Sequence, residues 1–103
     1  MKLHSGNIVG DNIWLWRADH SELAPAEAPN YPNISPVFHQ TEEHEAHVQN
    51  GIQVVGDDVT FYGLAVEHAN GHQMVWKGGR GSVHLYQCKF PYDVSSDYGS
   101  SGF

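Results

Sequence analysis

The chain has 103 residues, 40% of them hydrophobic and 17% charged, which is enough apolar side chain for one packed core and too little charge for a disordered chain. Twelve acids against five bases leave a formal charge of -7, which argues against nucleic acid or an anionic membrane as partner, because both are met with a positive surface. The single cysteine, Cys88, excludes an internal disulfide framework and a Cys-rich zinc site. In chain order, residues 5–20 read as a turn, a strand and a polar end. Residues 21–50 hold Pro25, Pro29, Pro32 and Pro36, a density that breaks helices and central strands, so a long loop or insertion is expected, with only Thr41–Val48 suited to a short helix. Residues 51–92 return to strand chemistry, with short strands expected at Ile52–Val55 and Gln73–Trp76. The tail, residues 94–103, is Ser, Gly, Asp and Tyr from Ser95 to Gly102, loose unless something holds it. The whole of 1–103 is expected to be one domain, without a membrane span or the apolar core of a signal peptide, so the chain as written reads as soluble and unaddressed.

Three stretches look alike. Gly10–Trp16, Gly56–Tyr62 and Arg80–Tyr86 each begin as a Gly-containing polar turn and continue as alternating residues. Val59 and Val83 lie about 24 positions apart, the length of one solenoid turn, and Ile13 and Val59 about 46, two turns or one turn carrying the insertion. Alternation then assigns Ile13, Val59, Val83 and Leu15, Phe61, Leu85 to a core face, and Trp14, Thr60, His84 and Trp16, Tyr62, Tyr86 to the outward face. Bends tolerant of left-handed backbone and strands that stack apolar side chains inward predict an all-β fold, a short right-handed parallel β-helix of about three coils with a long proline-rich insertion. A small antiparallel sandwich or barrel fits the strand lengths equally well but leaves the recurrent turn unexplained.

The stretches "GDNIWLWRADH", "GIQVVGDDVTFYGLAVEH" and "GSVHLYQCKFPYD" resemble β-helix proteins of the pectate-lyase-like superfamily, near the β-helical glycoside hydrolases that cut 1,3-glucans, over residues 5–20 and 50–93. Members of that family run to several hundred residues, so the resemblance implies a few central coils of a larger protein. It implies a polysaccharide partner, no organic cofactor, and secretion of the full-length relatives. A stack this short exposes unpaired backbone and apolar interior at both ends, so insertion, tail or a second copy of the chain is expected to cover them, and a homo-oligomer is expected.

Candidate residues follow. Asp11 aligns with Asp57 and Asn12 with Asp58; on neighbouring rungs such side chains stack about 5 Å apart, a separation suited to retaining glycoside chemistry. Asp19 and Glu67, at the far ends of the first two stretches, could supply the second carboxylate, giving Asp19, Asp57, Asp58 and Glu67 as catalytic candidates. The competing reading is that these acids only shape bends. Trp16, Tyr62 and Tyr86, flanked by Trp14 and His84, form an expected aromatic ladder suited to the apolar face of a sugar, or else a surface covered by the insertion or a partner. His39, His44 and His47 lie among glutamates, either a solvated acidic segment or a metal-binding module, and no metal ligands are assigned. Gly78-Gly79-Arg80-Gly81 lacks the rest of a phosphate loop, and Cys88 reads as a structural thiol. Two functions stay open: a carbohydrate-active β-helix segment related to glucan hydrolases, and a non-catalytic solenoid module that acts by self-assembly or partner binding.

Overall fold

The computed structural model describes residues 1–23, 37–40, 46–91, 98, 99 and 102, with backbone alone at 20–23 and 37–40. The described residues form eight strands: β1 (Lys2–Leu3), β2 (Ile8–Trp16), β3 (His20–Leu23), β4 (Val37–Gln40), β5 (Ile52–Val54), β6 (Val59–Glu67), β7 (Met74–Trp76) and β8 (Ser82–Lys89). Two three-stranded sheets, β1-β5-β7 and β2-β6-β8, are parallel throughout. The all-strand, parallel arrangement agrees with a β-helix fragment and overturns the antiparallel alternative for these sheets. Among the described residues no helix is long and apolar enough to cross a membrane.

The register corrects the alignment read from sequence. Ile8, not Ile13, lies beside Val59, a step of 51 positions, and Phe61 lies beside Val83, a step of 22. The reason lies in two sets of left-handed residues. Asn7, Asp58 and Arg80 (φ 55°, 57° and 50°) stack at the turns before β2, β6 and β8. Asn12, Gly63 and Leu85 (φ 49°, 72° and 60°) stack inside those same strands. Asn and Gly reach this region at little steric cost, so Gly10-Asp11-Asn12 resembles a turn while in fact bending a strand. The bend shifts the alternation by one residue: Val59 and Phe61 point inward before it, Leu64 and Val66 after it. Leu85 sits on the bend and is 87% exposed, so its expected place in the core is wrong. Tyr86, expected outward, is half-buried in the row of Ile13 and Leu64 and packs against the core.

The core lies along the middle strands. Ile52, Val54, Val59, Phe61, Leu64, Val66 and Met74 are buried, while Leu3, Ile8, Ile13 and Leu15 on one side and Trp76, Val83 and Tyr86 on the other are only partly so. Phe61 fits because its neighbour in the register is Gly10, where an added Cβ would stand 2.5 Å from the phenyl ring. Two tail residues touch the third rung: the Tyr86 hydroxyl donates to the Gly102 carbonyl, and the Tyr98 hydroxyl lies 2.9 Å from the Gly71 carbonyl and 3.4 Å from Gln73 Nε2.

The long step from β2 to β6 exceeds the step from β6 to β8 by 29 residues. The chain leaves the stack after Arg17 and rejoins it at Ala46, whose carbonyl accepts a hydrogen bond from Arg17 Nε at 3.0 Å. Part of this excursion is not loop, as expected, but the antiparallel pair β3–β4, with His20 beside Gln40 and Leu23 beside Val37. Its prolines and most of Thr41–Val48 lie outside the described residues.

Candidate functional site

Beyond the bend, the outward row of β6 carries small side chains while its neighbours carry large ones. Gly63 and Ala65 form the floor of a trough of about 400 Å³; Trp14 of β2 makes one wall, and Leu85 and Gln87 of β8 the other. Glu67 closes one end. Alternation on a pleated strand places Trp14 and Trp16 on the same side, and their rings stand 6.3 Å apart at 28°. Trp14 is 66% exposed and Trp16 45%. Glu67, beside Trp16 and Lys89 in the register, is only 6% exposed. Its Oε1 accepts from Gln87 Nε2 at 3.4 Å and lies 3.7 Å from Lys89 Nζ. The arrangement offers an apolar ring face, a carboxylate and an amide to one elongated, polyhydroxylated ligand.

The other expected residues fall elsewhere. Asp57 and Asp58 lie at the turn before β6, at the opposite end of that strand from Glu67, on the order of 30 Å away at strand rise. Asp57 Oδ1 accepts the Gly79 N–H at 2.7 Å. Arg80 grips Asp58 at both oxygens, at 2.9 and 2.7 Å, and this hydrogen bonding holds the Asp58 carboxyl below its usual range, with burial pulling weakly the other way. Asp11, expected to stack with Asp57, instead lies beside Tyr62. Asp19 is 2% exposed, with Oδ1 2.8 Å from His68 Nδ1.

The aromatic ladder divides in two. Trp14 lines the trough, with Trp16 stacked on it; Tyr62 and His84 form a separate stack before the bend, with centroids 4.9 Å apart and planes at 10°. The Tyr86 hydroxyl is pushed well above its ordinary range, mainly by burial and secondarily by neighbouring Cys88. Cys88 itself is half-buried in the inward row of Val66. Of the histidine cluster, His44 and the side chain of His39 lie outside the described residues, and among the described residues no three His, Cys, Asp or Glu side chains form a metal-holding group. Gln87 and Lys89 escaped the sequence reading. Counting Asn12 and Gly63 as bends rather than as turn and strand would have placed both.

The profile of the LAM55 pectate lyase-like domain matches residues 1–89. Among curated proteins, the chain is similar to an exo-beta-1,3-glucanase of Streptomyces sp. (strain SirexAA-E / ActE), 31% identical over 92 residues. That match takes in 89% of this chain and 12% of the relative, so the chain spans about one-eighth of the curated protein's length. No solved structure matches.

Proposed function

The chain belongs to the LAM55 pectate lyase-like domain family, and from that premise we propose that it is a carbohydrate-active β-helix segment whose trough binds a glucan-type polysaccharide. The supporting observation is a ring face and a carboxylate on one surface: Trp14, two-thirds exposed, and Glu67, almost buried, line the same trough. A pyranose lies with its C–H face on the Trp14 indole, Trp16 extends the apolar surface, and Glu67 and Gln87 take up hydroxyls at the closed end. In a hydrolytic reaction Glu67 is the residue placed to hold or deliver a proton at the glycosidic oxygen. Glycoside hydrolysis uses two carboxylates, and Glu67 is the only one lining the trough among the described residues. Binding is therefore the activity proposed for the chain on its own. Asp57 and Asp58 serve the turn and its Arg80 pair, and Tyr62 and His84 a separate surface stack.

Titration with a soluble β-1,3-gluco-oligosaccharide tests the proposal. Trp14→Ala removes an exposed ring and should leave the fold intact while weakening binding about tenfold, the loss expected for one stacking contact. Undiminished binding by a folded Trp14→Ala variant overturns the trough as the glycan site.

A second reading, self-assembly, is favoured by the half-exposed apolar side chains of the first and third rungs. Stacking of a second copy on either end would bury them and pair the open strand edges.

A further inference from the structure

The bend that crosses β2, β6 and β8 holds one residue that the fold alone does not account for. At the stacked bend positions β2 carries Asn12 and β6 carries Gly63, the residue types that reach left-handed backbone at least cost. β8 carries Leu85, at φ 60° and 87% exposed. A bulky side chain strains such a backbone, and at this exposure it buries little apolar surface in return. Leu85 does line the trough, at the end away from Glu67. Around it the trough repeats itself with its sides exchanged. In the row of Gly63 the β2 side offers an amide, Asn12, and the β8 side an aliphatic group, Leu85. In the row of Ala65 the β2 side offers the apolar group, Trp14, and the β8 side the amide, Gln87. An added Cβ on Gly63 would stand 3.0 Å from Asn12 Oδ1, so the Asn12 amide reaches over the floor. The two rows lie ~7 Å apart at strand rise.

From this geometry we propose that Leu85 is a sugar-contacting residue: with Asn12 and Gly63 it forms a second subsite at the bend, so that the trough takes two linked pyranose units. The proposal rests on the carbohydrate reading of the trough and extends it to the length of the ligand. Each floor position is small, and each is flanked by one apolar wall and one amide. An apolar wall meets the C–H surface of a sugar ring, and an amide, which both donates and accepts, meets hydroxyls at the ring edge. The unit beside Trp14 reaches Gln87 and Glu67, and the unit beside Leu85 reaches Asn12. Because the walls change sides between the rows, the two units turn their C–H surfaces to opposite walls. Gly63 serves the bend and the subsite together, since a side chain there would crowd the Asn12 amide and fill the floor. Strained backbone persists where the residue has a use, and the use of Leu85 is the wall.

The test titrates the isotopically labelled full chain with glucose and with the β-1,3-linked glucose disaccharide, reading binding from NMR shift changes and fold from the melting curve. Wild type should bind the disaccharide more tightly than glucose. Leu85→Gly removes the wall and keeps the bend, because glycine already holds that position in β6. Its preference for the disaccharide over glucose should fall about tenfold, the effect of losing one apolar contact. Leu85→Met keeps an apolar wall and should hold the preference within about twofold of wild type. Leu85→Asn is the second arm, needed if Leu85→Gly does not fold; Asn12 shows that the bend accepts it, and the preference should fall in the same way. A folded Leu85→Gly that keeps the preference overturns the second subsite, as do a wild type without the preference and a Leu85→Met that loses it. A wild-type chain that binds neither sugar overturns the carbohydrate reading and the subsite with it. Disaccharide binding that is weakened by Trp14→Ala and untouched by Leu85→Gly overturns the subsite and leaves the carbohydrate reading standing.

Discussion

Leu85 is the residue most at odds with its surroundings. It occupies the bend position that Asn12 and Gly63 hold in the neighbouring strands, carries a branched side chain at φ 60°, and is 87% exposed. Left-handed backbone costs a residue with a Cβ about 1 kcal/mol or more, and Asn less than Leu because its short polar side chain bonds locally. Leu85→Asn should therefore stabilise the chain by about 1 kcal/mol, raising the melting temperature by about 4–8 °C in a domain of this size. An unchanged or lower melting temperature by circular dichroism would show that Leu85 gains more from its trough wall than its backbone loses. Gly10 presents the opposite case, since a methyl group there meets the Phe61 ring at 2.5 Å. Gly10→Ala should lower stability by about 1–3 kcal/mol, the usual range for overpacking, and a smaller side chain at 61 should recover part of it. The exposed pair Asp58–Arg80 acts on pH dependence. The folded Asp58 carboxyl is held below its ordinary value, so the pair's stabilisation is present above that ordinary value and is lost as pH falls through the lower folded one. Asp58→Asn should match wild type in strong acid and fall slightly below it near neutral pH, a comparison made by denaturant unfolding at the two pH values.

At the scale of elements, the excursion between Arg17 and Ala46 can be separated from the stack it interrupts. Its two ends meet at a 3.0 Å hydrogen bond, and the β6-to-β8 step shows that the stack closes a rung without it. Replacing residues 20–45 by a few glycines keeps Asp19 for His68 and should preserve the strand signal in circular dichroism, with loop-closure entropy changed by only about 1 kcal/mol. Collapse of the fold in that variant would mean that β3–β4 supports the stack. The sequence shows the parallel stacking well, because Gly, Asn and Asp recur where the backbone must turn left-handed. It hides the register, because Gly10-Asp11-Asn12 and Gly56-Asp57-Asp58 are nearly the same string with different tasks, one bending a strand and the other starting one. Val59 and Phe61 are legible as core from alternation; Leu64 and Val66 are not, since Gly63 resets the phase. The same one-residue shift decides the candidate site. Trp14, Trp16 and Glu67 stand out by residue type, whereas Gln87 and Lys89 become neighbours of Glu67 only once the 22-residue step is known. Tyr86 drops from the sugar platform into the interior for the same reason.

Across the whole molecule, burial falls from the middle rung outward. Val59 and Val66 are 0% exposed, whereas Ile8, Ile13 and Leu15, on the strand next to them, are only partly buried. At about 25 cal/mol per Å², even a few hundred Å² of such surface gives a copy of the chain reason to associate through its ends. Tail contacts at Tyr98 and Gly102 oppose this on the β8 side, so the β2 edge is the more open of the two among the described residues. Val9 points outward from that edge, 71% exposed, beside Thr60. Lysine on an edge strand obstructs further pairing, because each added strand must bring another backbone beside the charge. Sedimentation equilibrium at about 50 µM should therefore show wild-type mass rising with concentration, and Val9→Lys should shift that rise upward about tenfold or remove it. A wild-type chain that stays monomeric across the range would mean that the half-exposed rungs are satisfied within one copy, and the self-assembly reading would fall while the trough was untouched.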